Sequence, residues 1–421
     1  MRHESVWLAT AQPPRFGSVT GTEDVDVVVV GAGITGLTTA LLAARDGARV
    51  AVVEVARIAS GTSGRTTGKV TSQHGLVYAR LAREHGADRA RLYAEANQRG
   101  VETVAFLAAD LGIDCELRRA AAYCYAEGDD ARRPVMEEAA AARRLGLPAA
   151  MAEVTELPFA VAAAVRFDDQ VLLHPGRYLA GLARSASAAG VRIFEDSRVT
   201  ELHERGGGVE VTTPAGRVRA ERAVVATLLP IKAIGGFFAR ARPTRAYGLA
   251  ARLRTPAPRG MYLAASGPSR SLRPWPGAAR TASSPWARAT RPGRSPAPRA
   301  ATRRWRPGSG PSSRSSPSTT AGRRRTTRRS TRSPMSGAPP LLDRTLVATG
   351  FAKWGLSGGT AAALMLGDLI AGRDNPWLAL FDARRVADAR AVGRLPKEND
   401  LVGGRWLADR LGRLRPGALE H

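Results

Sequence analysis

Residues 25–54, VDVVVVGAGITGLTTALLAARDGARVAVVE, constrain this chain more than any other stretch. Asp26 to Val30 is a near-continuous β-branched run, the pattern of a strand buried on both faces. Leu37, Ala40, Leu41 and Ala44 recur at helical spacing and make one apolar helix face. Ala51 to Val53 form the next strand, and Glu54 closes it. Strand, glycine turn, helix, strand and terminal acid make a dinucleotide-binding unit. Gly31 serves the tight turn, Gly33 the close approach of a pyrophosphate, and Gly36 the packing of helix on strand. The pyrophosphate then sits on the helix N-terminus, where N–H groups and the dipole favour negative charge. Glu54 stands where an acid accepts from a ribose hydroxyl. The motif alone does not separate FAD from NAD.

The chain has 421 residues, enough for two domains and a sizeable core. No apolar run is long enough to span a bilayer; the longest apolar helix, Thr360 to Ala371, is short and carries Asp368. The N-terminal MRHESVWLATAQPPRFGS lacks the apolar core of a signal peptide. A soluble, cytoplasmic protein with no membrane contact is the expectation. Cys115 and Cys124 are the two cysteines, which make no disulfide framework and no zinc or iron–sulfur spacing, so no metal is expected.

The net charge of +26 suggests nucleic acid until its distribution is inspected. No Asp or Glu occurs between Glu221 and Asp343, and 15 arginines fall between Ala279 and Ala338; setting those 15 aside lowers +26 to +11. That segment is Arg, Pro, Ser, Thr, Ala and Gly with almost nothing else and no apolar period, so it cannot build a core. It reads as a disordered basic arm, as a Pro/Ser linker, or as an out-of-frame translation of GC-rich DNA. The third reading can be worked through. RRTTRRSTRSPMSGA, Arg324 to Ala338, has a codon choice that yields AQDYAPVDEVPYVGR when the frame moves by one base. WARATRP, Trp286 to Pro292, yields VGEGHATG in the same way. Both products carry acids, aromatics and turn residues in ordinary proportion. The expectation is a frame error entering between Gly277 and Trp286 and ending near Pro339.

The loop SGTSGRTTGKVTSQHG, Ser60 to Gly75, is rich in donors and carries Arg65 and Lys69. It suits a phosphate or a flavin edge equally with a plain surface position. Residues 77–111 and Glu137 to Arg144 read as helices without an obvious site. His174 and Pro175 open another helix, where the histidine is a cap, a packing residue or a substrate contact. Val191 to Thr213 alternates as short strands, and AVVAT, Ala223 to Thr227, is a further buried strand. LVATG, Leu346 to Gly350, precedes the turn FAKWGLSGG and a helix from Thr360 to Leu369. That last unit repeats the first motif's logic, with Gly350, Gly355, Gly358 and Gly359 permitting close approach of a ligand.

Together GAGITG with Glu54, SGTSGRTTGKVTSQHG, RFDDQVLLHPGRYL, FEDSRV, AVVAT and LVATGFAKWGLSGGTAAALMLGDLIAGRDNPW resemble the FAD-dependent oxidoreductases of the D-amino-acid oxidase and glycine oxidase type. Within them the chain looks most like the bacterial subgroup that often carries a C-terminal Rieske domain. The resemblance covers residues 1 to about 277 and 339 to about 400, and the two recovered strings are similar to family text at the matching place. It implies an α/β fold: a Rossmann-like FAD-binding domain interleaved with a mixed-sheet α+β substrate domain. The expected division is an extension over 1–24, a discontinuous FAD domain over 25–98, 150–228 and 341–385, a substrate domain over 99–149 and 229–340, and a tail over 386–421.

Carried across, Gly31, Gly33 and Gly36 hold the pyrophosphate and Glu54 the adenosine ribose. Arg65, Thr66 and Thr67 lie beside the flavin, and the backbone at Val199 faces the adenine. Gly350, Phe351, Trp354, Gly355 and Thr360 close over the isoalloxazine. No Cys or His stands where relatives attach flavin covalently, so noncovalent FAD is expected, and LRPGALEH ends the chain without the Cys-x-His pair of a Rieske domain.

The reaction implied is oxidation of a C–N bond in a small amine or amino acid, with hydride passing to flavin N5 and electrons leaving to O₂ or to an iron–sulfur centre. No catalytic acid or base is assigned; Lys353 and His74 are candidates, Lys353 equally a solvated charge. Arg270 and Arg273, in SRSLRPW, suit either a substrate carboxylate or the surface. Two other outcomes belong beside this one. A genuine arginine segment would be a nucleic-acid-binding arm on a flavin scaffold, although it lacks the interleaved aromatics of such arms. A frame-shifted product would expose apolar sheet surface, hold FAD weakly and be poorly soluble.

Overall fold

A computed structural model describes residues 4–231, 246–251, 253, 256–267, 270–275 and 334–384, and the backbone of 241–245, 252, 282–283, 286–290 and 319–329. The expected tail over 386–421 and most of 279–338 lie outside the described residues.

The β-branched run becomes the centre of an eight-stranded sheet. Strand Gly21–Val30 lies between Gly216–Val225 and Val50–Val53, parallel to both. Thr345–Thr349 extends the sheet beyond Gly216–Val225, and Arg192–Phe194 extends it beyond Val50–Val53, again in parallel. Met335–Gly337 closes one edge antiparallel. A continuous apolar run is needed because alternate residues feed different cores. Val27, Val29, Val50 and Val52 face the helices, together with Leu37, Leu41 and Leu366. Val28, Val30, Ala51 and Val53 face the other way, onto Leu202, Val209 and Val211 of the hairpin Glu201–Arg205 and Gly208–Thr212.

Among the described residues the second sheet has eleven strands. Arg118–Ala126 and Ala163–Leu172 pair antiparallel over most of their lengths, and Met261–Ala264 joins the first of them in parallel. Lys69–Val70 sits at the end of this sheet, against Ala163–Leu172. Both Lys69–Val70 and Ala163–Leu172 therefore belong to the second sheet, whereas the sequence reading put them within the FAD-domain spans. Ladder pairing, and not chain order, decides membership. The backbone of 286–290 and 319–329 pairs with Ala241–Arg252, so the 279–338 segment, expected without secondary structure, contributes strand backbone here.

The helices also differ in detail from expectation. Residues 77–111 form two helices, Tyr78–His85 and Ala87–Asp110, parted at Gly86. The helix expected from Glu137 begins at Arg132, and the one expected from Thr360 begins at Ser357. The N-terminal extension holds a short helix, Val6–Thr10, and the first strand starts at Gly21. Glu138 is wholly buried and accepts from the N–H groups of Val77, Tyr78 and Ala79, so a carboxylate from one helix caps the start of another.

Helix Ser357–Ile370 is what draws the sites together. Its first turn is squeezed between two others. A Cβ on Gly359 would lie 2.6 Å from the Thr35 hydroxyl of helix Ile34–Arg45. A Cβ on Gly100 of helix Ala87–Asp110 would overlap the carbonyl oxygen of Ser357. Two helix N-termini thus meet where Gly359 touches Thr35.

Candidate functional site

The glycine turn has the geometry that its sequence implies. Gly31 has φ +107°, a region costly for any residue with a Cβ, and a Cβ there would come within 2.9 Å of the Ala226 carbonyl oxygen. A Cβ on Gly36 would overlap the Gly31 carbonyl oxygen. The Ile34 N–H donates to Ser63 Oγ at 3.2 Å, and a Cβ on Gly33 would lie 3.1 Å from that oxygen. The result is backbone with no room for side chains at the start of helix Ile34–Arg45, where a helix N-terminus favours the negative charge of a pyrophosphate. These residues fit a dinucleotide.

Glu54 directly follows strand Val50–Val53. Its carboxylate accepts from the Ala32 N–H at 2.8 Å and the Ala56 N–H at 3.1 Å, which sets it against the glycine turn. Ser197 N–H donates to the Glu54 carbonyl at 2.8 Å. Val199 follows two residues on, half-buried against the hairpin-side core.

Arg65 ends a short 3-10 turn, Ser63–Arg65, and Thr66 and Thr67 follow, both buried. Their carbonyls are held from behind: Trp7 Nε1 donates to Thr66 O at 2.7 Å, and Arg273 Nη1 donates to Thr67 O at 2.8 Å. Lys69 was noticed in the sequence only as part of a polar loop. It proves to be buried, with Nζ donating to the Tyr262 carbonyl and to Ser271 Oγ, so it ties this loop to the second sheet. Spacing in the sequence carries no signal for contacts about 200 residues away.

The turn after Thr345–Thr349 is strained: Gly350, Ala352 and Lys353 have φ +83°, +47° and +86°. It delivers Phe351 and Trp354 ahead of the helix that Ser357 opens. Gly355 precedes that helix, its carbonyl accepting from the Gly359 N–H at 3.1 Å, and Thr360 Oγ1 donates back to the Leu356 carbonyl at 2.8 Å. Trp354 stacks on His74 with centroids 4.5 Å apart and planes 17° off parallel.

His74 is enclosed. Nδ1 lies 2.7 Å from Tyr93 Oη, and Nε2 lies 2.8 Å from the Thr71 carbonyl and 3.1 Å from Ser357 Oγ. The carbonyl requires Nε2–H, so Nδ1 accepts from the tyrosine. Burial pushes this imidazole down to about 3, which keeps it neutral. It bridges the donor-rich loop to helix Ser357–Ile370. The two arginines are likewise engaged. Arg270 Nη2 pairs with Glu127 Oε2 at 2.6 Å. Arg273 is 3% exposed and donates to the carbonyls of Thr67, Leu173 and Pro274. Burial and then repulsion from Arg118 push it down to about 9, so it stays charged at neutral pH. His174 is the cap of helix Pro175–Ala188, with Nδ1 accepting from the Arg177 N–H at 3.1 Å.

Residues 26–369 match the family DAO, FAD dependent oxidoreductase. The chain belongs to the DAO family. Its cofactor is FAD and it is an oxidoreductase of that family. It is similar to YhfW of Bacillus subtilis, named a Rieske 2Fe-2S iron–sulfur protein, at 30% identity over 389 residues, covering 91% of this chain and 75% of that protein. It is similar to gamma-glutamylputrescine oxidoreductase of Escherichia coli at 29% identity over 213 residues, 48% of either chain. Its fold is similar to the crystal structure of glycine oxidase from Geobacillus kaustophilus, with a TM-score of 0.69 at 19% identity, covering 87% of this chain and 100% of that one. The fold agrees with the α/β architecture inferred from the motifs. Among the described residues no helix is long and apolar enough to cross a membrane.

Proposed function

We propose that this chain oxidises the C–N bond of a small amine or amino acid, with FAD held noncovalently as the hydride acceptor. The observation that carries the reading is the meeting of two helix N-termini at Thr35 and Gly359, with the 63–70 loop beside them and the second sheet within reach of Lys69. Helix N-termini favour the negative charge of a pyrophosphate, and equally the electron-rich side of a reduced flavin. FAD supplies the redox chemistry, at flavin N5.

The chain's own residues bind and orient. Gly31, Gly33 and Gly36 bare the backbone for the pyrophosphate, and Glu54 takes the ribose. Arg65, Thr66 and Thr67 would line the flavin, Val199 would face the adenine, and Gly350, Phe351, Trp354, Gly355 and Thr360 would close over the isoalloxazine. The enclosed, neutral His74 fixes Trp354 and exchanges no proton during turnover. Arg273 is 3% exposed, with Nε and Nη1 serving three carbonyls, and we read it as a structural residue and not as the partner of a substrate carboxylate. Electrons would leave to O₂ or to an iron–sulfur centre; the name of the Bacillus relative speaks for the second only.

Anaerobic mixing of the flavin-loaded chain with a panel of primary and secondary amines and amino acids tests this. Bleaching of the flavin band near 450 nm by at least one member is expected, since oxidised flavin absorbs there and reduced flavin does not. A panel that includes glycine, sarcosine, proline, D-alanine and putrescine and leaves the band intact would count against amine oxidation while leaving the family and cofactor untouched.

A further inference from the structure

Residues 5–10 were read from sequence as part of an undifferentiated extension, yet they pack against the rear of the 63–68 loop. Ser5 Oγ donates to the Gly64 carbonyl at 2.9 Å, and Trp7 Nε1 to the Thr66 carbonyl at 2.7 Å. The Trp7 ring is enclosed on several sides. Trp275 meets it edge-on at 5.3 Å, His174 edge-on at 5.0 Å, and the Arg273 guanidinium lies 5.0 Å from its centroid. The same guanidinium donates to the Thr67 carbonyl at 2.8 Å and the Leu173 carbonyl at 2.9 Å. His174 completes the clamp. Its Nδ1 accepts from Arg177 N–H, so its Nε2–H donates to Thr10 Oγ1 at 2.8 Å, and that hydroxyl donates to the Val6 carbonyl at 2.6 Å. The fit leaves no slack: a Cβ on Gly68 would lie 2.5 Å from Arg273 Nη1, and one on Gly176 would lie 2.6 Å from the Trp7 carbonyl oxygen.

Peptide planarity turns this clamp into a device. In a trans peptide the N–H of one residue points opposite to the carbonyl of the residue before it. With Thr66 O held by Trp7 and Thr67 O held by Arg273, the N–H groups of Thr67 and Gly68 are fixed pointing away from the cluster. Neither N–H donates to an acceptor among the described residues. We propose that Trp7 is a positioning residue for the flavin: through the Thr66 carbonyl, with Arg273 stacked behind it, it holds the Thr67 and Gly68 N–H groups as a pair of oriented donors for the electron-rich edge of the ring. The inference rests on the reading that FAD occupies this site.

Trp7→Phe keeps an aromatic ring, though a smaller one, and deletes the indole donor, and the lost volume is what the second variant below controls for. The full chain, stripped of flavin, is titrated with FAD by fluorescence quenching, beside Trp7→Phe and Val135→Ala. Val135 is buried in helix Arg132–Arg144 and touches no part of this cluster, so its variant reports general destabilisation. Leaving a buried carbonyl without its donor weakens Trp7→Phe for FAD by about tenfold. Its bound flavin also shows an altered visible circular dichroism band at saturation, while Val135→Ala melts earlier with unchanged affinity and an unchanged band. Should Trp7→Phe fail to fold, Ser5→Ala, which removes only the hydroxyl on Gly64 O, carries the test with about a threefold expected loss. Equal affinity in Trp7→Phe and the parent chain, or equal loss in Trp7→Phe and Val135→Ala, overturns the positioning role. A parent chain that shows no saturable quenching overturns the FAD reading itself, a separate result.

Discussion

Gly31 shows how much a single residue can demand. Its φ of +107° and the Ala226 oxygen 2.9 Å from where a Cβ would stand both exclude a side chain. Gly31→Ala is expected to lower stability by about 1–3 kcal/mol through backbone strain and to abolish FAD retention, because the turn has no room for a side chain. Thermal melting with a flavin titration checks both. Normal affinity in the alanine variant would remove Gly31 from the site. At this scale the glycines and Glu54 were legible because their geometry is local: the turn, the acid and the helix start lie within 24 residues. His74, Lys69 and Trp7 were not. His74 reaches Ser357 and Lys69 reaches Ser271 across 283 and 202 residues, and nothing in the intervening text records those contacts. Arg273 was legible as an arginine near the site, but whether it faces a substrate or three carbonyls depends on the fold around it.

Among the elements, boundaries followed capping chemistry that composition alone does not reveal. Gly86, at φ +84°, parts a helical stretch that reads as one from its apolar spacing. Glu138 caps the first of the two halves from a different helix. Burial pushes this carboxyl up while three N–H groups pull it down. Glu138→Ala orphans those N–H groups and is expected to lower stability by about 2–3 kcal/mol, read as a shift in the denaturant midpoint. A shift below about 0.5 kcal/mol would mean that water replaces the carboxylate. The two caged histidines give the fold a pH dependence of definite sign. Both are depressed from 6.5, His174 to about 4 and His74 to about 3, chiefly by burial. Below about 6.5 the unfolded chain takes protons that the folded chain refuses, so unfolding gains. The stability due to the neutral rings is complete above pH 6.5 and declines as pH falls toward 4 and then 3. Melting temperatures across pH 4–7 should fall steadily on the acid side, and less steeply in His174→Gln. A flat profile in the parent chain would contradict the burial of both rings.

At the scale of the whole molecule, the first sheet collects strands from 21–53, 192–225 and 335–349, and the second sheet takes the stretches between. The βαβ start and the final strand–helix unit were legible because each repeats a strand and a helix at short range. The mixed sheet was not, because its pairings, such as Met261–Ala264 on Arg118–Ala126, join distant strands of ordinary composition. The acid-free run from Ala279 to Ala338 bears directly on this layer, since the strand backbone of 286–290 and 319–329 lies within it. Our proposal remains a frame error across it. Sequencing the DNA over codons 275–345 decides it, and an uninterrupted frame encoding these residues would end it. Restoring the alternative frame is expected to raise soluble yield and tighten FAD.

Calorimetric titration of the full chain with FAD, alongside the frame-restored version, tests the central claim most directly. The account requires saturable binding at one FAD per chain, tighter in the restored version and lost in Gly31→Ala. No heat and no saturation in either version would contradict it.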